Sequence, residues 1–254
     1  MCIRDRSTDK QLIVLLGPTA SGKTALAVEI ACALDGEIIS ADSRQIYKRL
    51  DIGTGKDLKE YGFIPYHLID SHEIGEAFSV AHFQKAAFDA INDVFARGKQ
   101  PILCGGTGLY IESLLANYQF SHVPHFLSEP LDIQFPHVVF GLNPSTEVRR
   151  EKISTRFNAR LKEGMLEEVQ QLLFEGVHPE ELRWMGLEYK WIVNYVEGHI
   201  SKDEFEKGLE TAIHQFAKRQ MTYFRKMERG GIEINWIPEN LDFQGKRDFI
   251  LNFI

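Results

Sequence analysis

The chain has 254 residues, 44% hydrophobic and 26% charged, enough for one large α/β domain or one domain with a small appendage. A net charge of -7 and a pI near 5.7 exclude a protein that coats nucleic acid by bulk electrostatics, though not one with a local basic patch. No stretch reaches the roughly 18 consecutive apolar residues of a membrane span. Cys2, Cys32 and Cys104 lack metal-ligand spacing, so a reducing cytoplasm and a monomer are the expectations. Residues 1–10 have no apolar signal core and no structural pattern; a disordered or artefactual leader is expected, with residues 11–254 forming one domain.

The apolar run Leu12–Leu16 predicts a first strand. Behind it, Gly17, Pro18, Thr19, Ala20, Ser21, Gly22, Lys23 and Thr24 spell G-x-x-x-x-G-K-[ST], followed by an alanine-rich helical pattern over 23–34. The glycines let successive backbone N–H groups wrap an anion, and the helix start adds the positive end of its dipole. Lys23 supplies a point charge to a phosphate chain, and the Thr24 hydroxyl suits Mg²⁺. A bare glycine turn is the plainer alternative. Strand, spacing, Lys-Thr and helix all argue against it, so the chain is read as binding a phosphorylated ligand.

A second strand is predicted over Glu37–Ser40, beside the P-loop strand, with Asp42 just past its C-terminal end, where ligands sit in open α/β sheets. A carboxylate there serves as general base, as Mg²⁺ ligand, or merely as the cap of a turn with Ser43. Tyr66–Ile69 is a third strand candidate, and His67 near Asp70 reads first as a satisfied structural pair. A helix follows over 79–97, a strand over Pro101–Cys104, then Gly105-Gly106-Thr107, which brings backbone and a hydroxyl to the same edge. A short helix over 108–116 comes next. Residues 117–136 carry three prolines and no period and predict a long loop. His137–Gly141 is a fifth strand. Strands alternating with helices predict a parallel sheet with crossover helices.

The second half is helical. Ser145 N-caps a pattern running to about 174, interrupted by Gly164, and Ser201 with Glu204 forms a capping box opening a helix over 201–228. On that helix Lys218, Arg225 and Arg229 fall on neighbouring faces while Arg219 points elsewhere. They mark either a phosphate-binding group or a solvated basic face. An apolar Ile232–Ile237 run closes the readable pattern. No Walker-B-like strand and no kinase catalytic loop is present in the sequence.

GPTASGKT, ISADSRQIYKRLDIGTGK, PYHLID, FSVAHF, CGGTGLY, RFNARLKEGMLEEVQQLLFEGV, RWMGLEYK and AKRQMTYFR occur in one order. In that order they resemble the tRNA dimethylallyltransferases, also called tRNA isopentenyltransferases, over about residues 11–120 and 138–229. The resemblance implies a P-loop NTPase-like α/β core with helical additions. It also implies transfer of a dimethylallyl group from dimethylallyl diphosphate to N6 of adenosine 37, in the anticodon loop of tRNA. By resemblance Asp42 is the general base, Thr107 lies near the target base, and the P-loop with Lys23 and a Thr24-bound Mg²⁺ holds the departing diphosphate. Asp42, Ser43, Arg44 and Gln45 match one tRNA-contacting segment, and Arg183, Trp184, Met185, Gly186, Leu187 and Glu188 another. Arg219 and Arg225 match groups binding the diphosphate or the RNA backbone.

Three departures stand out. The 117–136 segment replaces a helical insertion of several dozen residues. His214 stands where the family often has arginine. Glu188 stands where a tRNA-facing cation or amide is common. Two other activities fit the same motifs: prenyl transfer to a free adenine nucleotide, and phosphoryl transfer by a small-molecule P-loop kinase.

Overall fold

The computed structural model describes residues 11–121, 123–124, 127, 131–133 and 135–254. The leader, residues 1–10, lies outside them, as does part of the 117–136 segment.

Six parallel strands form one sheet: β1 (Leu12–Leu16), β2 (Gly36–Ser40), β3 (Tyr66–His67), β4 (Gln100–Gly105), β5 (His137–Leu142) and β6 (Asn235–Ile237), in the order β3-β2-β4-β1-β5-β6. The near-continuous apolar sequences of β1 and β4 fit strands buried on both faces, and every residue of β1 is buried. β1 pairs with β4 (Leu16 opposite Gly105) and with β5 (Leu16 opposite Gly141). β2, expected beside β1, is separated from it by β4, yet the parallel strands leave β1, β2 and β4 at the same edge of the sheet.

Helices α1 (Lys23–Leu34), α2 (Leu58–Tyr61), α3 (Val80–Ala96) and α4 (Gly108–Leu115) belong to the first half. α3 starts at a capping box of Ser79 and His82. β3 stops at His67, short of the expected Ile69, because Leu68 and Asp70 adopt positive φ of 60° and 52° and end the extended run.

The second half contains α5 (Thr146–Glu163) and α6 (Met165–Phe174), split at Gly164, whose φ of 102° favours glycine. α7 (Pro179–Met185) and α8 (Leu187–Val196), which the sequence patterns do not place, meet at Gly186 with φ 151°. α9 (Lys202–Arg229) carries the expected Ser201–Glu204 capping box. Of the Ile232–Ile237 run only the last three residues pair, and α10 (Phe243–Phe253) follows it.

Three apolar clusters hold these elements. One packs α3, α4 and the C-terminal half of α9 on one sheet face, around Phe83, Ile111, Phe224 and Met227. Ile133 and Phe135 join it, Phe135 stacking on Phe88. A second packs α1 and α10 on the other face. The third fills α5–α9 and takes in Ile46, Tyr47 and Leu50 from the loop after β2. Through that loop the helical half is anchored beside the sheet edge.

Candidate active site

The loop after β1 has the geometry its sequence implies. Ala20 and Gly22 take positive φ of 60° and 84°, and Gly22 caps α1. Among the described residues Ser21 Oγ is the one buried side-chain polar atom without a hydrogen-bond partner, and it sits inside this loop. Lys23 is part-buried where two clefts meet. Burial pushes its ammonium below the usual lysine range, Cys104 and Asp42 draw it back up, and nearby Arg156 pushes it further down. The Cys104 thiol, buried beside it, is pushed up to about 12.

The loops after β2 and β4 close on the same spot. Thr107 N–H donates to Ala41 C=O at 3.1 Å, and Thr107 Oγ1 accepts from Ser43 N–H at 3.1 Å. Asp42 Oδ1 accepts Arg44 N–H at 3.0 Å, which is the turn-capping bond weighed from sequence, and Asp42 also lines the cleft. Gln220, buried on α9, ties two loops together: its Oε1 accepts Thr19 N–H at 2.8 Å and its Nε2 donates to Gly106 C=O at 3.0 Å. A cleft of about 580 Å³ results, lined by Lys23, Thr24, Asp42, Ser43, Thr107 and Arg219 together with the 183–190 segment.

The two segments matched to tRNA contact meet on its rim, where Arg44 Nη1 donates to Trp184 C=O at 2.9 Å. Their residues differ in freedom. Trp184 is 77% exposed, whereas Met185 is buried. Gln45 is occupied within the fold, accepting from Ser40 Oγ at 3.0 Å and donating to Gly55 C=O at 3.1 Å. Arg183 is held by Glu180, Glu197 and Asn194. Glu188 faces the cleft; burial raises its carboxyl above the usual range, Asp42 adds to this, and its own N–H, Arg160 and Arg156 oppose it.

α9 divides the basic residues. Arg219, Gln220 and Tyr223 face the cleft, while His214, Lys218 and Arg225 face a separate cleft with Arg149 and Arg150. Arg225, expected at the diphosphate or the RNA backbone, thus lines neither opening beside the P-loop, and nor does His214. The cation that does stand there is Arg156, which the motifs did not single out. It lines the main cleft and a second opening of about 590 Å³ bounded by Ala20–Ala25 and α5, and Lys23 and Thr24 also line both. Its Nη2 donates to Asp57 Oδ2 at 2.9 Å. A signal was available: Arg156 and Arg160 flank the core-facing Ile153 and Phe157 at helical spacing, an odd place for two cations. His67 pairs with Glu37 at 2.7 Å, not with Asp70, which Lys56 holds.

A family model described as "IPP transferase" matches residues 45–132 and 124–227, and one described as "Isopentenyl transferase" matches 10–63. The chain is 44% identical to tRNA dimethylallyltransferase 1 of Parabacteroides distasonis over 291 residues, covering 93% of this chain and 95% of that protein. It is 40% identical to tRNA dimethylallyltransferase 2 of Bacteroides fragilis over 297 residues, covering 95% and 97%. Both alignments are longer than the 254-residue chain, so each relative carries several dozen residues absent here. The two pieces of the "IPP transferase" match meet within the 117–136 segment. Among solved structures, the tRNA isopentenylpyrophosphate transferase of Bacillus halodurans superposes with a TM-score of 0.85 at 28% identity, covering 96% of this chain and 95% of that one. The corresponding protein of Staphylococcus epidermidis gives 0.83 at 29%, covering 95% and 97%.

Proposed function

The chain belongs to the tRNA dimethylallyltransferase family, and we propose that it transfers a dimethylallyl group from dimethylallyl diphosphate to N6 of adenosine 37 in tRNA, releasing diphosphate. The observation that carries this reading is the shared wall of the cleft. Phosphate-binding groups (Lys23, Thr24, Arg156) and a carboxylate–hydroxyl pair (Asp42, Thr107) line one space.

The chemistry asks for those two sets. The exocyclic amine of adenine is a weak nucleophile, whereas an allylic diphosphate ionises readily once its leaving oxygen is stabilised. The P-loop N–H groups, Lys23 and Arg156 offset the charge that develops on the diphosphate as the allylic C1–O bond breaks. N6 bonds to C1, and its proton passes to the Asp42 carboxylate. Thr107, held by Ser43 N–H, aligns the base. The Thr24 hydroxyl would hold Mg²⁺, which favours a few protein oxygens with water and phosphate; when bound it would supply further positive charge to the diphosphate. Arg219, on the cleft side of α9, and exposed Trp184 on the rim suit an RNA loop, whose unstacked bases accept aromatic and guanidinium partners. Extruding one base costs a few kcal/mol and is least costly in a single-stranded loop.

No described helix is long and apolar enough to cross a membrane, and a tRNA-modifying role belongs in the cytoplasm.

Incubation with labelled dimethylallyl diphosphate, Mg²⁺ and either total tRNA or AMP tests the reading. Label in N6-prenyladenosine recovered from tRNA is the expected result. Label confined to the AMP fraction makes the enzyme a free-nucleotide prenyltransferase. Consumption of ATP with neither acceptor labelled makes it a kinase and ends the prenyl-transfer reading.

A further inference from the structure

The loop Asp51–Lys56 forms one wall of the cleft through Gly53, Thr54 and Gly55, and it is gripped from two sides. On one side its three successive N–H groups converge on a single carboxylate. Asp51 and Ile52 donate to Glu168 Oε2 at 2.9 and 2.7 Å, and Gly53 donates to Glu168 Oε1 at 3.2 Å. Successive N–H groups of this kind form an anion-binding nest, here filled by the protein's own side chain. A fourth donor, Tyr189 O–H, reaches Oε1 at 2.8 Å, and the Tyr189 ring lies so close to Gly53 that a Cβ there would meet it at 2.7 Å.

On the other side stand the arginines of α5. Arg160 donates to Ile52 C=O, and both Arg156 and Arg160 bond Asp57. Their guanidiniums rest on Gly55, where a Cβ would come within 2.6 Å of Arg156 Nη2 and 2.7 Å of Arg160 Nη2. The loop therefore dictates where Arg156 stands relative to Lys23 and Thr24. Glu168, on α6, lines neither opening of the P-loop.

We infer that Glu168 is a positioning residue for the donor diphosphate: by capturing the 51–53 N–H groups it fixes the loop that seats Arg156 against the P-loop. The inference rests on the diphosphate reading given above. It links α6, which is remote from the reacting atoms, to binding of one substrate and not the other. A misplacement of about 1 Å in such a group can cost on the order of a hundredfold.

The test uses Glu168→Gln, whose amide keeps one acceptor but turns N–H groups against the loop's own. The expected result is a rise of about tenfold in KM for dimethylallyl diphosphate and in the calorimetric Kd for inorganic pyrophosphate, with KM for tRNA within about twofold of wild type. Tyr189→Phe, which deletes one donor of four and keeps the ring packing, is expected to show the same pattern at about threefold, and it decides the matter if Glu168→Gln does not fold. Equal rises in both KM values, or loss of active protein with both unchanged, would reduce Glu168 to an ordinary structural residue and overturn the inference. Wild-type enzyme that binds no pyrophosphate sinks the diphosphate reading itself, and the inference with it.

Discussion

Asp42 does two things at once: Oδ1 closes the turn onto Arg44 N–H, and the carboxylate lines the cleft. Asparagine keeps an acceptor for the turn and loses the ability to take a proton. Asp42→Asn is therefore expected to lower single-turnover prenyl transfer by about 10²–10⁴-fold while leaving pyrophosphate affinity within about twofold. Unimpaired transfer would remove Asp42 as the base. At this scale the sequence was most legible where chemistry is local. Lys23, Thr24 and Asp42 follow short motifs at strand ends, but β4 lies between β1 and β2, and it is the sheet order that brings them to one cleft. Arg156, Gln220 and Glu168 sit on helices far along the chain and reach the site only through packing. Gln220 and Arg156 still left a trace, as polar groups beside apolar helical stripes, whereas Glu168 looks like any exposed acid of a helix first turn. Arg183 and Gln45 show the converse: a motif match placed them at the RNA, and the fold occupies their polar atoms internally.

The elements around the P-loop constrain one another through backbone proximity. A Cβ on Gly105 would overlap the backbone carbonyl of Ala41, which cannot move without dislodging β2 from β4. One on Gly106 would strike only the amide end of Gln220, which can swing aside at the expense of its bond to Thr19 N–H. Gly105→Ala is thus expected to destabilise by about 2–3 kcal/mol or more. Gly106→Ala should leave stability within about 1 kcal/mol and instead weaken pyrophosphate binding, since the brace on the P-loop is lost. Denaturant midpoints beside pyrophosphate titrations separate the two, and equal behaviour of both variants refutes the distinction. Helix starts with side-chain caps at Ser145 and Ser201 were readable because capping is a local bond. α7, α8 and α10 were not. The first two are short and joined by a single glycine, so neither presents a sustained period, and burial of Leu182, Tyr189 and Ile192 in the third cluster holds them. β6 pairs over only three residues, too few for an alternation to show.

The charge distribution gives the whole molecule a defined response to acid. Burial alone would raise Glu37 and Glu112, yet both lie below the usual glutamate range because Arg97 with His67, and Tyr223 with Lys226, bond their ionised forms. A carboxyl lowered by folding stabilises the native state above its unfolded pKa of about 4.3, and that stability is lost as pH falls through the lowered value. Glu188 has the opposite sign: burial raises it, so its charge opposes folding at neutral pH, and protonation relieves the cost as pH falls through the raised value. The denaturant midpoint is expected to hold or rise slightly between neutrality and about pH 4.5, then to fall. Glu188→Gln should be no less stable than wild type at pH 7, and a clear loss there would contradict this reading of its burial. The loop after β2 ties the helical cluster to the sheet edge through Ile46, Tyr47 and Leu50, so residues 11–254 are expected to unfold in one transition. Separate transitions by far-ultraviolet dichroism and Trp fluorescence would divide the chain into two units.

The P-loop lies between two openings that share Lys23, Thr24 and Arg156. A phosphate site reachable from both sides imposes no queue. On the proposed reading, a donor that enters by the second opening need not pass a polymer seated in the first, and exchange of the two substrates is expected to be independent. Spent diphosphate then competes with fresh donor for the same seat and is blind to how much RNA is present.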